Sequence, residues 1–415
     1  MSAALPAIQG VNTHYPPFFV LPGTEMSCPA GIVATLLGFG VYKVFEKSLP
    51  PEFLRRLLVL LLSLFTLQEI RMEGRLISDL SSVTGGKLFD DFIHYLSVSS
   101  SKNAPVLQMF HGFGASSLSF FHVIDYFNKT TNMIAADMTG FGFNIRNKFN
   151  AFNNYAYSPL WSAMISNQIV DSKFDKSSRH VILGHSLGSV TAIAAALLRA
   201  RHDKSFTLVL EDPALTFSND KPSKDSLALI NTVAEAGEKT MQSAAQGRSI
   251  LRLLSPFFWL KIPFSLVLRI VIRRLTHCGA FWVNALKLAF YNPSLDVDPG
   301  PDGYKLPSQV KGFDWQFVDF VFSKIPSPKN AFGSPFWVKS VSVVDALRAL
   351  VDQGVRVVII HGVNDKVISI SKTRQIVDAV PGIKLHEVED CGHIPHEERP
   401  EVFNPILDGI IKGKV

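Results

Sequence analysis

The stretch from Val181 to Leu198 constrains this chain most. A short apolar run, Val181 to Leu183, leads into Gly184-His185-Ser186-Leu187-Gly188. A long run of small and apolar residues, Ser189 to Leu198, follows. This is the order of strand, sharp turn and helix, with a serine at the bend. Such a turn is strained and holds the serine hydroxyl above the sheet, where a substrate carbonyl can reach it. With Gly and Ser each near ~7 % of residues, the five-residue pattern alone arises by chance in roughly one chain in seven of this length. The flanking strand and helix patterns therefore carry the reading.

Two further segments place reactive groups at equivalent positions. Val355 to Ile360 is a nearly continuous β-branched run, which fits a buried parallel strand. His361-Gly362-Val363-Asn364-Asp365 follows it, so Asp365 lies just past a strand's carboxyl end. Lys384 to Val388 reads as another strand, and Cys391-Gly392-His393 follows that one. In an open parallel sheet the loops at the carboxyl ends of the strands face one crevice. Ser186, Asp365 and His393 can therefore converge.

That set suits nucleophilic catalysis. A serine hydroxyl is a poor nucleophile until a base takes its proton. His393 would be the base, and then the acid for the leaving group. Asp365 would hold the imidazole in one tautomer. The backbone N–H groups of Leu187 and Phe113 would stabilise the oxyanion. Phe113 lies in His111-Gly112-Phe113-Gly114, the loop after the apolar run Pro105 to Phe110. His111, Gly112, Gly114 and His185 are the candidate substrate-binding residues. An imidazole base near its unperturbed value makes activity rise through roughly pH 6 to 8.

Five blocks carry a resemblance: HGFGAS at 111–116, DMTGFG at 137–142, GHSLG at 184–188, HGVND at 361–365 and CGHIPHEERPEVF at 391–403. The chain resembles the α/β-hydrolase fold superfamily, in its serine-nucleophile, lipase- or esterase-like branch. The resemblance implies a mostly parallel, doubly wound sheet with an inserted helical cap. It also implies Ser186 as nucleophile, Asp365 as acid, His393 as base and Phe113 and Leu187 as oxyanion donors. Asp137 matches a position that shapes a loop near the site, and Met138 stands where the family often has Arg. Epoxide-hydrolase and haloalkane-dehalogenase relatives use Asp as nucleophile, which Ser186 argues against. No His-x-x-x-x-Asp motif occurs in the chain, which weakens an acyltransferase reading based on that motif.

Each residue has a rival role. Ser186 could be a turn residue, and Asp365 a cap for a helix over Ser369 to Ala379. His396 lies among Glu397, Glu398 and Arg399 and reads as a solvated helix start. His386 falls inside a strand. His111 reads as a loop histidine and not a second base. Asp378 and Asp390 read as surface charges.

The 415 residues suit a large α/β domain with an insertion. The expected division is an apolar N-terminal region at 1–72, core at 73–211, a helical cap at 212–340 and core again at 341–415. Three separated cysteines, Cys28, Cys278 and Cys391, make neither a disulfide framework nor a metal pattern. The spacing favours a reducing compartment. No metal or organic cofactor is expected. The runs 26–42 and 57–67 are apolar but fall short of the roughly 20 residues of a spanning helix. They read either as buried helices or as a membrane anchor.

Lys239 to Leu295 holds no Asp or Glu but eight Lys and Arg, mixed with aromatic and aliphatic residues. That composition suits a helix at a lipid interface; the rival is a cap whose arginines are merely solvated. Arg269, Arg273 and Arg274 are the candidate lipid-facing cations. No nucleic-acid recognition motif accompanies the charge, so nucleic acid is not an expected partner. The expected protein is an intracellular, membrane-associated hydrolase of apolar acyl esters. Thioester or carbon–carbon bond hydrolysis is one alternative, and a non-catalytic ligand receptor or scaffold another. Sequence leaves the oligomeric state open.

Overall fold

The computed structural model describes residues 91–92, 94–146, 157–175, 178–215, 228–233, 235–236, 256–293, 300–310, 312–323 and 342–414. The apolar region at 1–72 lies outside the described residues, with both of its candidate anchor runs.

The strands are, in chain order, β1 (Asp91–Phe92), β2 (Tyr95–Val98), β3 (Val106–Phe110), β4 (Asn132–Ala136), β5 (Ile145–Arg146), β6 (His180–His185), β7 (Phe206–Glu211), β8 (Arg356–Gly362) and β9 (Lys384–Val388). Seven form one sheet in the order β2-β4-β3-β6-β7-β8-β9. All neighbours are parallel except β2 with β4. Residues 91–98 hold two strands and not one: β1 pairs with β5 in a separate ribbon, while β2 joins the sheet edge.

The helices are α1 (Phe121–Phe127), α2 (Pro159–Lys173), α3 (Gly188–Ala200), α4 (Pro256–Thr276), α5 (Gly279–Ala289), α6 (Gly300–Lys305), α7 (Phe313–Ser323), α8 (Val343–Asp352), α9 (Ile370–Ala379), α10 (Pro395–Glu398) and α11 (Pro400–Ile411). Helix α2 starts at Pro159 because the Ser158 hydroxyl accepts the N–H of Trp161 and a proline suits the first turn.

Side chains alternate across a strand with period two, so the central strands are apolar on both faces. Ile182, Leu208, Leu210, Val357 and Ile359 point to one face and pack with α3 and α8. Val181, Leu183, Val209, Val358 and Ile360 point to the other and pack with Phe127 of α1 and Phe403, Leu407 and Ile410 of α11. Helices on both faces make the sheet doubly wound, as expected.

Helices α4 to α7 lie between β7 and β8 in the chain and reach the carboxyl ends of the strands. The ring of Trp282 on α5 stands over Gly114. The Ala289 carbonyl, also on α5, accepts the N–H of His393 at 2.7 Å. The basic residues of α4 differ from expectation. Arg269 and Arg273 both bond the carboxylate of Asp314 on α7, and Arg273 is buried. Both cations are turned towards Asp314, Arg273 buried and Arg269 half-buried. Of the three expected at lipid, Arg274 alone is exposed. Among the described residues, no helix is long and apolar enough to cross a membrane.

Candidate active site

Ser186 occupies the turn between β6 and α3 with φ of 50°. A non-glycine residue there costs roughly 1–2 kcal/mol. Two bonds to the neighbouring strand end hold it. Its N–H donates to the Glu211 carbonyl at 2.9 Å, and its carbonyl accepts from Ala214 at 3.1 Å. Gly188 is required because a Cβ there would lie 2.2 Å from the Phe110 carbonyl oxygen. That contact brings the end of β3 against the start of α3. Gly112 faces the same demand: its Cβ would meet His185 Nδ1 at 2.8 Å and Ser186 Cβ at 3.3 Å.

The three residues from separate loops meet. His393 Nε2 is 2.9 Å from Ser186 Oγ, and His393 Nδ1 is 2.6 Å from Asp365 Oδ2. Asp365 is fixed through its other oxygen, which accepts the N–H groups of Val367 at 2.7 Å and Ile368 at 2.9 Å. Burial pushes the Asp365 carboxyl up, but the hydrogen bonds of His361 and His393 outweigh it. The carboxyl is held well below the usual carboxylate range. An ionised Asp365 only accepts, so His393 Nδ1 carries the proton and Nε2 faces the serine hydroxyl with its lone pair. The cap of α9 is Ser369, whose hydroxyl accepts Ser371 N–H, so Asp365 is not the helix cap.

Phe113 and Leu187 flank the serine from the two loops joined at Gly112 and Gly188. Among the described residues neither backbone N–H is taken up by a hydrogen bond. The Phe113 ring meets Phe141 at 5.4 Å and Phe317 of α7 at 5.5 Å. Leu187 and Phe320 belong to the same apolar cluster. The wall beside the serine is therefore aromatic and aliphatic.

The remaining candidates divide. His111 is fully buried. Its Nδ1 donates to the Gly112 carbonyl at 2.8 Å, and its Nε2 accepts Met138 N–H at 2.9 Å. Both ring nitrogens are engaged, so His111 holds two loops together and is not free to bind substrate. His185 donates from Nε2 to the His393 carbonyl at 2.8 Å. Its Nδ1 has no partner among the described residues. Burial, then the neighbouring His396 and His393, push His185 well below the usual imidazole range. Gly114 lies under Trp282 with φ of 74°. Asp137 ties its loop down, accepting Ser117 N–H at 2.6 Å and Phe143 N–H at 2.7 Å and pairing with His94 at 2.9 Å.

His396 is a correction. It is fully buried, not solvated: its N–H and Nδ1 both bond Glu211 Oε1, and Nε2 lies 2.9 Å from Ser119 Oγ. Burial opposes its charge, but the Glu211 carboxylate outweighs that and raises it. Beside it, burial pushes Glu397 up to about 7, and Ser119 and Tyr304 bond its carboxyl.

Sequence reasoning missed Asp212. It follows β7 directly with φ of 40°, is fully buried, and accepts Gly362 N–H at 3.0 Å. One oxygen of Asp212, one of Asp365 and one nitrogen of His393 lie within 4.8 Å of one another. Burial and the Asp365 charge push Asp212 well above the usual carboxylate range. The signal that could have found it was its position at the carboxyl end of a strand, the same signal that singled out Asp365.

The family model described as "Alpha/beta hydrolase family" matches residues 109–406. A curated protein of Oryza sativa subsp. japonica, named "Probable 1-acylglycerol-3-phosphate O-acyltransferase", is 32 % identical over 123 residues. That match covers 28 % of this chain and 28 % of that protein, so the chain spans less than a third of the relative it matches. The crystal structure of a membrane phospholipase A is 17 % identical, with a TM-score of 0.50 over 92 % of this chain and 98 % of that one. A meta-cleavage product hydrolase from Pseudomonas fluorescens IP01 is 21 % identical, with a TM-score of 0.50 over 78 % and 95 %. These structures share the fold.

Proposed function

This chain belongs to the alpha/beta hydrolase family, and on that premise we propose that it is a serine hydrolase cleaving carboxylic esters with an apolar acyl chain. One observation carries the proposal: Ser186, His393 and Asp365 form an unbroken line of contacts at 2.9 and 2.6 Å. His393 Nε2 takes the Ser186 proton as Oγ attacks the ester carbonyl. The oxyanion forms against the N–H groups of Phe113 and Leu187. His393 then gives the proton to the leaving alcohol, and Ser186 holds the acyl group. Water, deprotonated by the same His393, releases the acid and restores the serine. The aromatic and aliphatic wall around Phe113 suits an acyl chain and gives a charged group no partner.

Such a substrate suits an enzyme that works at a lipid surface, and membrane association is part of the same reading. Thioesters fit the same chemistry. A second reading has a specific observation behind it: the local likeness to the plant acyltransferase. There a lipid hydroxyl, in place of water, would take the acyl group from Ser186.

The test is labelling with a fluorophosphonate probe, followed by product analysis on acyl esters. Wild type is expected to label and Ser186→Ala not to. Wild type that stays unlabelled while folded overturns the proposal and favours a non-catalytic receptor or scaffold. Free fatty acid as product supports hydrolysis; acyl transfer to added 1-acylglycerol-3-phosphate supports the second reading.

A further inference from the structure

Helix α4 is apolar on its outward face as well as on the inward face that carries Ile272 and Leu268. Its inward residues include Arg269 and Arg273, which are paired with Asp314, together with Ser265 and Thr276. Its outward residues are Leu266, Val267, Val271 and Leu275, which are 45 to 58 % exposed. Residues 267, 271, 274 and 275 recur at the spacing of one helix face, so Arg274 lies in the same stripe. Helix α5 continues the surface with Phe281, Val283 and Leu288 exposed and Lys287 beside them. Large hydrophobic residues this exposed number eleven among the described residues, and seven of them are on these two helices. A soluble surface scatters such residues singly; a contiguous patch signals a contact.

We propose that the outward face of α4 and α5 docks on an anionic lipid surface. Charge selects this occupant. Neither helix contains Asp or Glu. The acid nearest α4, Asp314, is drawn inward by two arginines and nearly buried. Among the described side chains, those exposed on the two helices are aliphatic and aromatic ones with Asn284, Arg274 and Lys287, a composition that suits a helix lying in the headgroup layer.

The face also stands close to the chemistry. Ile272 and Leu268 of α4 pack with Val318 and Phe317 of α7. The Phe317 ring touches Phe113 beside Ser186. A lipid bound outside α4 is therefore one helix away from the nucleophile. The inference adds a surface to the proposed hydrolase but does not require turnover.

The experiment uses the full chain carrying Ser186→Ala, so that binding is read without hydrolysis. Sedimentation is measured with vesicles of phosphatidylcholine alone and with phosphatidylserine added, at low and high salt. Val267→Ser/Val271→Ser is expected to weaken binding roughly ten-fold or more, since those methyl groups no longer leave water. Arg274→Gln is expected to cost about five-fold on phosphatidylserine vesicles at low salt, and less at high salt. Val267→Glu/Val271→Glu extends the series, and unchanged unfolding midpoints show that each variant is folded. Folded variants that bind like the parent overturn the inference. So does a vesicle-independent dimer that the same substitutions convert to monomer, because the face is then covered by a second copy.

Discussion

The carboxyl groups of Asp212 and Asp365 both approach His361 Nε2 at 3.4 Å, yet their surroundings shift them in opposite directions. Hydrogen bonds hold the Asp365 carboxyl well below the usual carboxylate range, while burial and the charge of Asp365 push Asp212 well above it. The same substitution should therefore have opposite outcomes. Asp212→Asn removes a carboxyl that its surroundings disfavour in the charged form and can still accept Gly362 N–H, so ester turnover should stay within a few-fold of wild type. Asp365→Asn misorients His393 and should cost on the order of 10⁴-fold in kcat. Steady-state kinetics on one acyl ester compares the two. Equal losses would show that Asp212 is ionised.

Ser186→Ala and His393→Ala should each lower kcat by about 10⁴ to 10⁶, the range for triad residues acting as a unit. The double variant should be no worse than either single one. Additive losses would mean that the two residues act separately.

His396→Ala should act on stability and not on the chemical step. It leaves the buried Glu211 carboxylate without its imidazole, a loss of about 3–5 kcal/mol when a buried pair is broken. Denaturant midpoints should fall, while kcat per folded molecule stays near wild type. A catalytic defect without a stability loss would move the base assignment from His393 to His396.

Gly112→Ala tests the approach of the oxyanion loop. Its methyl group would enter the space of His185 Nδ1 and Ser186 Cβ. Displacing the Phe113 N–H should lower kcat on the order of 10²-fold, with a smaller change in unfolding midpoint. Wild-type turnover would show that Phe113 N–H is not a donor in the reaction.

Acid should destabilise the fold through His185. Burial, then the neighbouring histidines, hold it below its ordinary value, so it stays neutral in the native state while the unfolded chain takes up a proton. The associated stability is fully present above about pH 6.5 and is lost as pH falls towards the folded value, by up to about 1.4 kcal/mol per pH unit. His396, raised by Glu211, contributes in the opposite sense. His185→Asn should flatten the decline in stability between pH 7 and 5. An unchanged slope would show that His185 does not titrate in this way.

The βα frame was legible in the sequence because its signals are local. Lys384–Val388 is a strand with the expected bounds, and the apolar run Pro105 to Phe110 forms β3 from Val106 onward. Ser186, Asp365 and His393 each follow a strand, and a parallel sheet delivers such loops to one edge. Pairings between distant residues were not legible. His396 stands among Glu397, Glu398 and Arg399, the pattern of a solvated turn, but its partner Glu211 is 185 positions away. Arg269 and Arg273 read as free cations because Asp314 belongs to another helix. His111 stood both as a loop histidine and as a substrate contact; its two hydrogen bonds support the former.

Strands β7 and β8 are hydrogen-bonded neighbours although residues 212–355 separate them. Closing a flexible connection depends only on the logarithm of its length, so one ten times shorter would close at about 2 kcal/mol less cost. That difference is small beside the pairing and burial of two central strands. The frame holding the serine, acid and base is thus nearly indifferent to the size of what hangs between these strands. Exchange of α4 to α7 for another set of helices could change which molecules reach Ser186 while leaving the attacking group in register. What the chemistry fixes is the edge to which the connection returns; the length of the connection is left free.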